Sequence, residues 1–430
     1  MACPNAIAVI GTGPMGLAVA YQAIRDGLEV TLYEVDDRIG GMTAAFDFDG
    51  LAIERFYHFI CVADQPLFDL LEELGIEDRL RWRETRMGHY YQGRIHPWGN
   101  PVALLRFSGL GWISKIRYGS HVFLSTRRKD WRPLDKLEAT RWIRRWVGNR
   151  AYEVLWRSLF DLKFYEYAHT LSAAWIWTRI KRIGTSRYSM MREKLGYLEG
   201  GSATLLNSLR EAIEKAGGRI LLKTPVQQIL HDKGKIVGVK VAGVPVHYDA
   251  VVSTVPVPFV PQLIPDLPRS LSEQYYALKN IAVVCVIVKT AKPLTPYFWL
   301  NINDPDMDIP GLVEFTNLRP LSEHIIYVPF YLPGENPKYQ DSDEIFKSKV
   351  RRYLQTIQPE LRDEDILAMY ANRYRYAQPI CGPGYLDTLP AIRLPIDGLF
   401  VADTSYYYPE DRGVSESVRM GREIARMLSD

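Results

Sequence analysis

The residues best placed to do chemistry are three glycines and one acid. Gly11-Thr12-Gly13-Pro14-Met15-Gly16 has the G-x-G-x-x-G spacing, and Glu34 follows 23 residues after Gly11. In such a pattern Gly11 permits a tight turn, Gly13 lets a pyrophosphate approach the backbone, and Gly16 lets a helix pack against a strand. A carboxylate at the distance of Glu34 can accept hydrogen bonds from a ribose diol.

The elements needed to position these residues are legible on either side. Ala6-Ile7-Ala8-Val9-Ile10 is a continuous apolar run, expected as a buried parallel strand. Leu17, Ala18, Ala20, Tyr21 and Ile24 recur at helical spacing, and Gly27 stops the helix. A second strand, Glu29 to Tyr33, delivers Glu34. The helix N-terminus then offers free amides and the positive end of its dipole to phosphate.

The pattern continues as Glu34-Val35-Asp36-Asp37-Arg38-Ile39-Gly40-Gly41. This stretch resembles the FAD-binding start of the flavin amine oxidase, protoporphyrinogen oxidase and phytoene desaturase superfamily, to which UDP-galactopyranose mutase is related. The resemblance implies a noncovalent FAD whose pyrophosphate and ribityl chain are approached by Gly40 and Gly41. Many members carry Arg after that pair; here it is Met42, so Arg38 is the expected substitute contact. The resemblance also implies an adenine contact through the Val226 backbone. It gives Asp403, at the end of Gly398 to Ala402, a bond to a ribityl hydroxyl, and places the helix start at Gly413, Val414 and Ser415 against the flavin pyrimidine. There the helix dipole would stabilise negative charge on the reduced ring.

The fold class expected is α/β: a Rossmann-like FAD-binding domain with an inserted α+β substrate domain and a helical cap. The FAD-binding domain is discontinuous, over 1–65, 195–260 and 390–430. Residues 66–194 form a basic, Trp-rich helical cap, and 261–389 a substrate-binding sheet layer. Within the cap, Asp135 to Ile143, Ala151 to Arg157 and Leu171 to Trp177 read as helices, and Tyr90 to Ile95 as a hairpin around Gln92-Gly93. Gly200-Gly201 resembles a turn that relatives place near the flavin. Ile281 to Val288 is a buried strand too short to span a bilayer.

Net charge is +3 over 430 residues, but it is unevenly spread. Arg81 to Lys194 holds 24 Lys or Arg against 8 Asp or Glu, an excess of 16 that leaves the remainder at −13. The same segment holds nine of the ten tryptophans. Such a layer suits a hydrophobic or phosphate-bearing substrate, or peripheral membrane contact. No nucleic-acid motif accompanies it. The four cysteines, Cys3, Cys61, Cys285 and Cys381, form no CxxC pair, so neither a disulfide framework nor a metal site is expected, and a cytoplasmic setting fits.

With a flavin carrying the hard chemistry, the protein needs to orient substrate and keep the pocket dry, and no catalytic base stands out. His58, in Glu54 to Ile60, is a candidate for flavin proximity, as is Tyr407 between Tyr406 and Tyr408, where amine oxidases place a cage aromatic. Lys289 matches the amine oxidase lysine poorly, and the residues around Cys381 do not match a covalent-flavin motif. The reaction expected is hydride removal from a C–N or C–C bond. The alternatives are a non-redox sugar-nucleotide mutase and a binding protein with a retained flavin.

Overall fold

The computed structural model describes residues 4–189 and 191–429; Cys3 lies outside them. At its centre is a five-stranded parallel sheet in the order Arg219–Leu221, Glu29–Tyr33, Ala6–Ile10, Ala250–Ser253, Leu399–Val401. Parallel strands buried on both faces read as unbroken apolar runs, and Val9, Leu32, Val251, Val252 and Val401 are fully buried. Each such side chain contributes about 2 kcal/mol on leaving water. The helix Pro14–Arg25 lies on this sheet, and the last helix, Val414–Ser429, lies on that helix. A Cβ on Gly421 would stand 2.6 Å from the Met15 carbonyl oxygen, so only glycine allows this closeness. The N- and C-terminal stretches are thereby welded into one unit.

A seven-stranded mixed sheet runs Ile366–Pro379, Asn280–Thr290, His324–Pro333, Gly311–Glu314, Trp299–Asn303, Met87–Tyr91, Arg94–Trp98. Asn280–Thr290 is apolar on both faces because both are covered. Ile281, Val283, Cys285 and Ile287 join the main core, while Val284, Val286 and Val288 pack with Phe346, Val350 and Leu354 of the helix Asp343–Ile357. The last two strands are the hairpin read at Gln92-Gly93, whose φ values of 52° and 72° are those a two-residue hairpin turn needs. They enter by parallel pairing with Trp299–Asn303. Segment 66–194 is therefore not helical throughout, and the sheet draws strands from both excursions.

Two helix expectations are corrected. Asp135 to Ile143 is not one helix. Arg132–Asp135 ends, and Ala139–Val147 begins afresh, because the Glu138 carboxylate accepts from the Thr140 and Arg141 amides, both at 2.7 Å, and acts as N-cap. Ala151 to Arg157 also divides, into Asn149–Leu155 and Arg157–Phe164, at Trp156, whose side chain lines the interior cavity.

Candidate active site

One interior cavity of about 1640 Å³ runs from the first glycine turn to the helical layer. Gly11, Gly13, Pro14, Met15 and Glu34 line one end, with Val226 beside them. Gly11 takes φ +101°, closed to other residues without strain. Its amide donates to the Tyr33 carbonyl at 2.8 Å, which ties the turn to the acid-bearing strand. Gly13 caps the helix with no side chain, and a Cβ there would meet nothing within 4 Å, so the helix N-terminus opens on space. Gly16 does not line the cavity; a Cβ there would fall 2.0 Å from the Gly11 carbonyl oxygen, so Gly16 sets the helix-to-turn distance.

Glu34 is held in place. Its Oε2 accepts from Thr12 N at 2.9 Å and Thr12 Oγ1 at 2.6 Å, and its Oε1 accepts from Asp36 N at 2.9 Å. One acceptor position of its four stays open to a diol. The second glycine pair closes on the first: a Cβ on Gly41 would lie 3.6 Å from Gly13 Cα. Gly41 and Met42 line the cavity; Gly40, with φ +110°, packs under Leu206 instead.

Arg38 is not brought to the cavity. Its Nε bonds Asp37 at 2.7 Å and its Nη1 donates to the Ala45 carbonyl at 3.2 Å. Arg55 does line the cavity, paired with Asp36. The sequence signal was the acid–Arg–aromatic order of Glu54-Arg55-Phe56, which leads into cavity residues Tyr57 to Phe59.

At the far end, Asp403 lines the cavity with both carboxylate oxygens engaged. Oδ2 accepts from Val257 N at 2.9 Å and Oδ1 from Ser405 N at 2.8 Å. It thus fixes two loops while keeping further lone pairs. Gly413 and Val414 line the wall where Val414–Ser429 begins. Ser415 is behind them, its Oγ buried and without a hydrogen-bond partner. The Tyr407 hydroxyl, on the wall, donates to Ser417 Oγ at 2.8 Å; Tyr406 and Tyr408 are packed away from it. His58 is on the wall, and its Nδ1 has no partner. Burial, then the charge of Arg412, pushes its pKa down to about 4, so the imidazole is neutral near pH 7.

The Gly200-Gly201 turn, expected near the flavin, is elsewhere, as is Lys289, the poor match. Gly200-Gly201 packs on a buried ion pair: Arg319 Nη1 lies 3.4 Å from Glu54 Oε2, and Ser202 N donates to Glu54 Oε1 at 2.7 Å. Lys289 lies off the cavity, 2.8 Å from Asp49 and 3.5 Å from Glu323.

From the Asp403 end the cavity enters the helical layer between Trp156, Leu159, Phe160, Ile176 and Ile180. Such lining excludes water and holds an apolar molecule. Single-ligand pockets occupy roughly 300–1,000 Å³, so this volume suits a dinucleotide and a second molecule together. The facing glycine turns and the open helix N-terminus fit FAD. Among the described residues no cluster could hold a metal, and no helix is long and apolar enough to cross a membrane.

The family model described as flavin containing amine oxidoreductase matches residues 16–426. The chain is 25% identical over 316 residues to the 15-cis-phytoene desaturase of Synechococcus elongatus, covering 67% of this chain and 66% of that one. It is 30% identical over 127 residues to protoporphyrinogen oxidase 2 of Arabidopsis thaliana, covering 29% and 25%. The aligned stretches thus span less than two thirds of these relatives. A solved putrescine oxidase with putrescine bound superposes with a TM-score of 0.74 at 18% identity, over 99% of each chain, a likeness of fold.

Proposed function

Because the chain belongs to the flavin containing amine oxidoreductases, with FAD as cofactor, we propose that it is an FAD-dependent oxidoreductase taking a hydride from a C–N or C–C bond of a hydrophobic substrate. The observation that carries this is the continuity of one cavity from the paired glycine turns to an aromatic tunnel. Bound FAD supplies the two-electron acceptor chemistry. The chain's own residues do the rest. We assign the cofactor to 1–65, 195–260 and 390–430: Gly11, Gly13 and Gly41 admit the pyrophosphate, Glu34 the adenosine ribose, Val226 the adenine and Asp403 the ribityl chain. Gly413, Val414 and Ser415 present a helix N-terminus to the flavin ring, with Tyr407 and the neutral His58 beside it. The layers 66–194 and 261–389 hold and desolvate the substrate. Phytoene, in the name of one relative, is a large apolar molecule, which suits this tunnel. Mixing with substrate in the absence of oxygen tests the reading: candidate polyenes, porphyrinogens and amines are screened, and one is expected to bleach the flavin in a single turnover. Turnover seen only after prior reduction, with no bleaching, would instead support the mutase.

Substrate entry is proposed from a membrane face, with the protein peripheral and cytoplasmic. The helix Trp112–Arg127 turns Tyr118, Val122 and Thr126 toward the cavity. Its opposite side exposes Trp112 (67%), Ile113 (76%), Ile116 (67%) and Leu124 (48%) to solvent. Arg127, Arg128 and Lys129 follow at once, and Leu105 is exposed on the preceding helix. An apolar helix face bordered by cations suits an anionic lipid surface, at about 1 kcal/mol per basic residue near it. Binding to phosphatidylserine vesicles is expected at low salt. Neutralising Arg127, Arg128 and Lys129 should weaken it ~100-fold, and Ile113→Glu with Ile116→Glu should abolish it. Absence of low-salt binding by the unaltered protein ends the idea.

A further inference from the structure

Lys163, on the helix Arg157–Phe164, lines the cavity where it passes beneath the helical layer. Its ammonium stands 4.9 Å from the ring centre of Tyr331 and 5.7 Å from that of Phe164. Among the described residues no carboxylate lies within ion-pair distance of it. The charged groups facing it are Arg179, from the helix Ala173–Thr185, and Asp411 and Arg412, from the loop before the last helix. Asp411 is already occupied: Arg179 Nε and Nη2 fork onto it at 2.9 and 2.7 Å. Burial works against that carboxylate, but Arg179, Lys163 and Arg412 hold its pKa far below the usual range. Three cations therefore share one carboxylate at the cavity wall, and the Arg179 guanidinium is held further by stacking 3.7 Å over the Trp175 ring. Arg412, one residue before Gly413, donates to the Ala377 carbonyl and belongs to the cofactor end. Of these three, Lys163 is the one with no hydrogen-bonded partner among the described residues, and it lines the cavity.

We propose that Lys163 seats an acidic group, a carboxylate or a phosphate, carried by an otherwise apolar substrate. This rests on the oxidoreductase reading and narrows it: the substrate is an amphiphilic acid. An anion there offsets part of the positive excess. A protonated amine would add a like charge to a site that desolvates it, which is unfavourable. The apolar body lies along Leu159, Phe160, Ile176 and Ile180. Burial, then the nearby charge of Arg179, pushes the Lys163 pKa down to about 7, so its charge is lost on mild alkalisation and is regained against a bound anion.

The experiment uses four probes of one chain length on the flavin-loaded protein: dodecanoate, dodecyl phosphate, dodecanol and dodecylamine. Binding is read by calorimetry and by the shift in flavin absorbance. At least one acid is expected to bind ~10-fold or more tightly than the alcohol and the amine. If dodecanoate is the tighter acid the group is a carboxylate, and if dodecyl phosphate is tighter it is a phosphate. The preference should fade from about pH 6 to about pH 9. Lys163→Met should erase it while flavin content stays as in the parent, and Lys163→Arg should keep it. Dodecylamine or dodecanol binding as tightly as the better acid, or an undiminished preference in Lys163→Met, overturns the proposal. A protein that holds no flavin sinks the oxidoreductase reading instead, and the calorimetric ranking still judges the acid seat.

Discussion

Gly16→Ala is expected to give a colourless protein. The new methyl would lie 2.0 Å from the Gly11 carbonyl oxygen and 3.0 Å from Thr254 Oγ1. The first contact is to backbone, so no side chain can swing away. The helix Pro14–Arg25 would have to retreat from the turn by more than an ångström. Its partners forbid that, since Ala18, Val19 and Ala20 are buried and Met15 and Ala18 touch the last helix at Gly421. The expected result is a loss of about 2–3 kcal/mol of stability by overpacking. Flavin affinity should fall ~100-fold or more, because the turn that admits phosphate is deformed. Gly13→Ala is the informative contrast. Its methyl meets no protein atom within 4 Å, so flavin should be lost, the methyl standing where phosphate must approach, while the midpoint matches that of the flavin-free parent. Visible absorbance of the purified proteins and their urea midpoints separate the two. A yellow Gly16→Ala with an unchanged midpoint would show that the turn is not the cradle.

The contrast also marks what a sequence can carry. The first unit was legible because two local signals coincide there: apolar runs of strand and helix period, and glycines where the chain must turn sharply. The hairpin at Gln92-Gly93 was legible for the same reason. The cation near the second glycine pair was not. Arg38 is adjacent in sequence but is held by Asp37 and the Ala45 carbonyl, while Arg55 reaches the cavity because the hairpin Ala45–Phe48 with Leu51–Glu54 folds it back onto Asp36. Gly200-Gly201 has the right composition for a flavin turn, yet its place is fixed by Arg319, more than a hundred residues away. Helix breaks at Glu138 and Trp156 depend likewise on a carboxylate that caps rather than continues a helix, and on a ring that a cavity wall requires. Local chemistry names the motif; long-range pairing decides which motif touches the ligand.

The tryptophan-rich layer shows this division within one segment. Trp175 and Trp177 are core, Trp98 and Trp156 are tunnel wall, and Trp112 is turned to solvent. Periodicity alone made these one population. The helix Trp112–Arg127 separates them, since one side closes the tunnel and the other meets solvent.

Acid should unfold the protein by titrating two imidazoles packed in that layer. His121 is 1% exposed, its ring centre 4.7 Å from that of Trp142, and its Nε2 has no partner. His89 is 3% exposed among Tyr91, Trp98 and Phe107, also with an unpartnered Nε2. Burial pushes both pKa values from 6.5 down to about 4, aided at His89 by the nearby charge of His96. The unfolded chain therefore binds protons that the folded chain refuses throughout that interval. Stability is complete above about pH 6.5, falls as pH drops toward 4, and loses nothing more from these groups below it. Each contributes roughly 3 kcal/mol over the window, a large part of the 5–15 kcal/mol that holds a typical fold together. Urea midpoints measured from pH 7 to pH 4 should fall steeply in the parent. His121→Leu, which keeps an apolar body beside Trp142, should lower the midpoint little at pH 7 and flatten the fall by about a third, since His58, also held near 4, carries a like share. A parallel fall in parent and variant would place the acid sensitivity in other groups and show that His121 accepts its proton without cost.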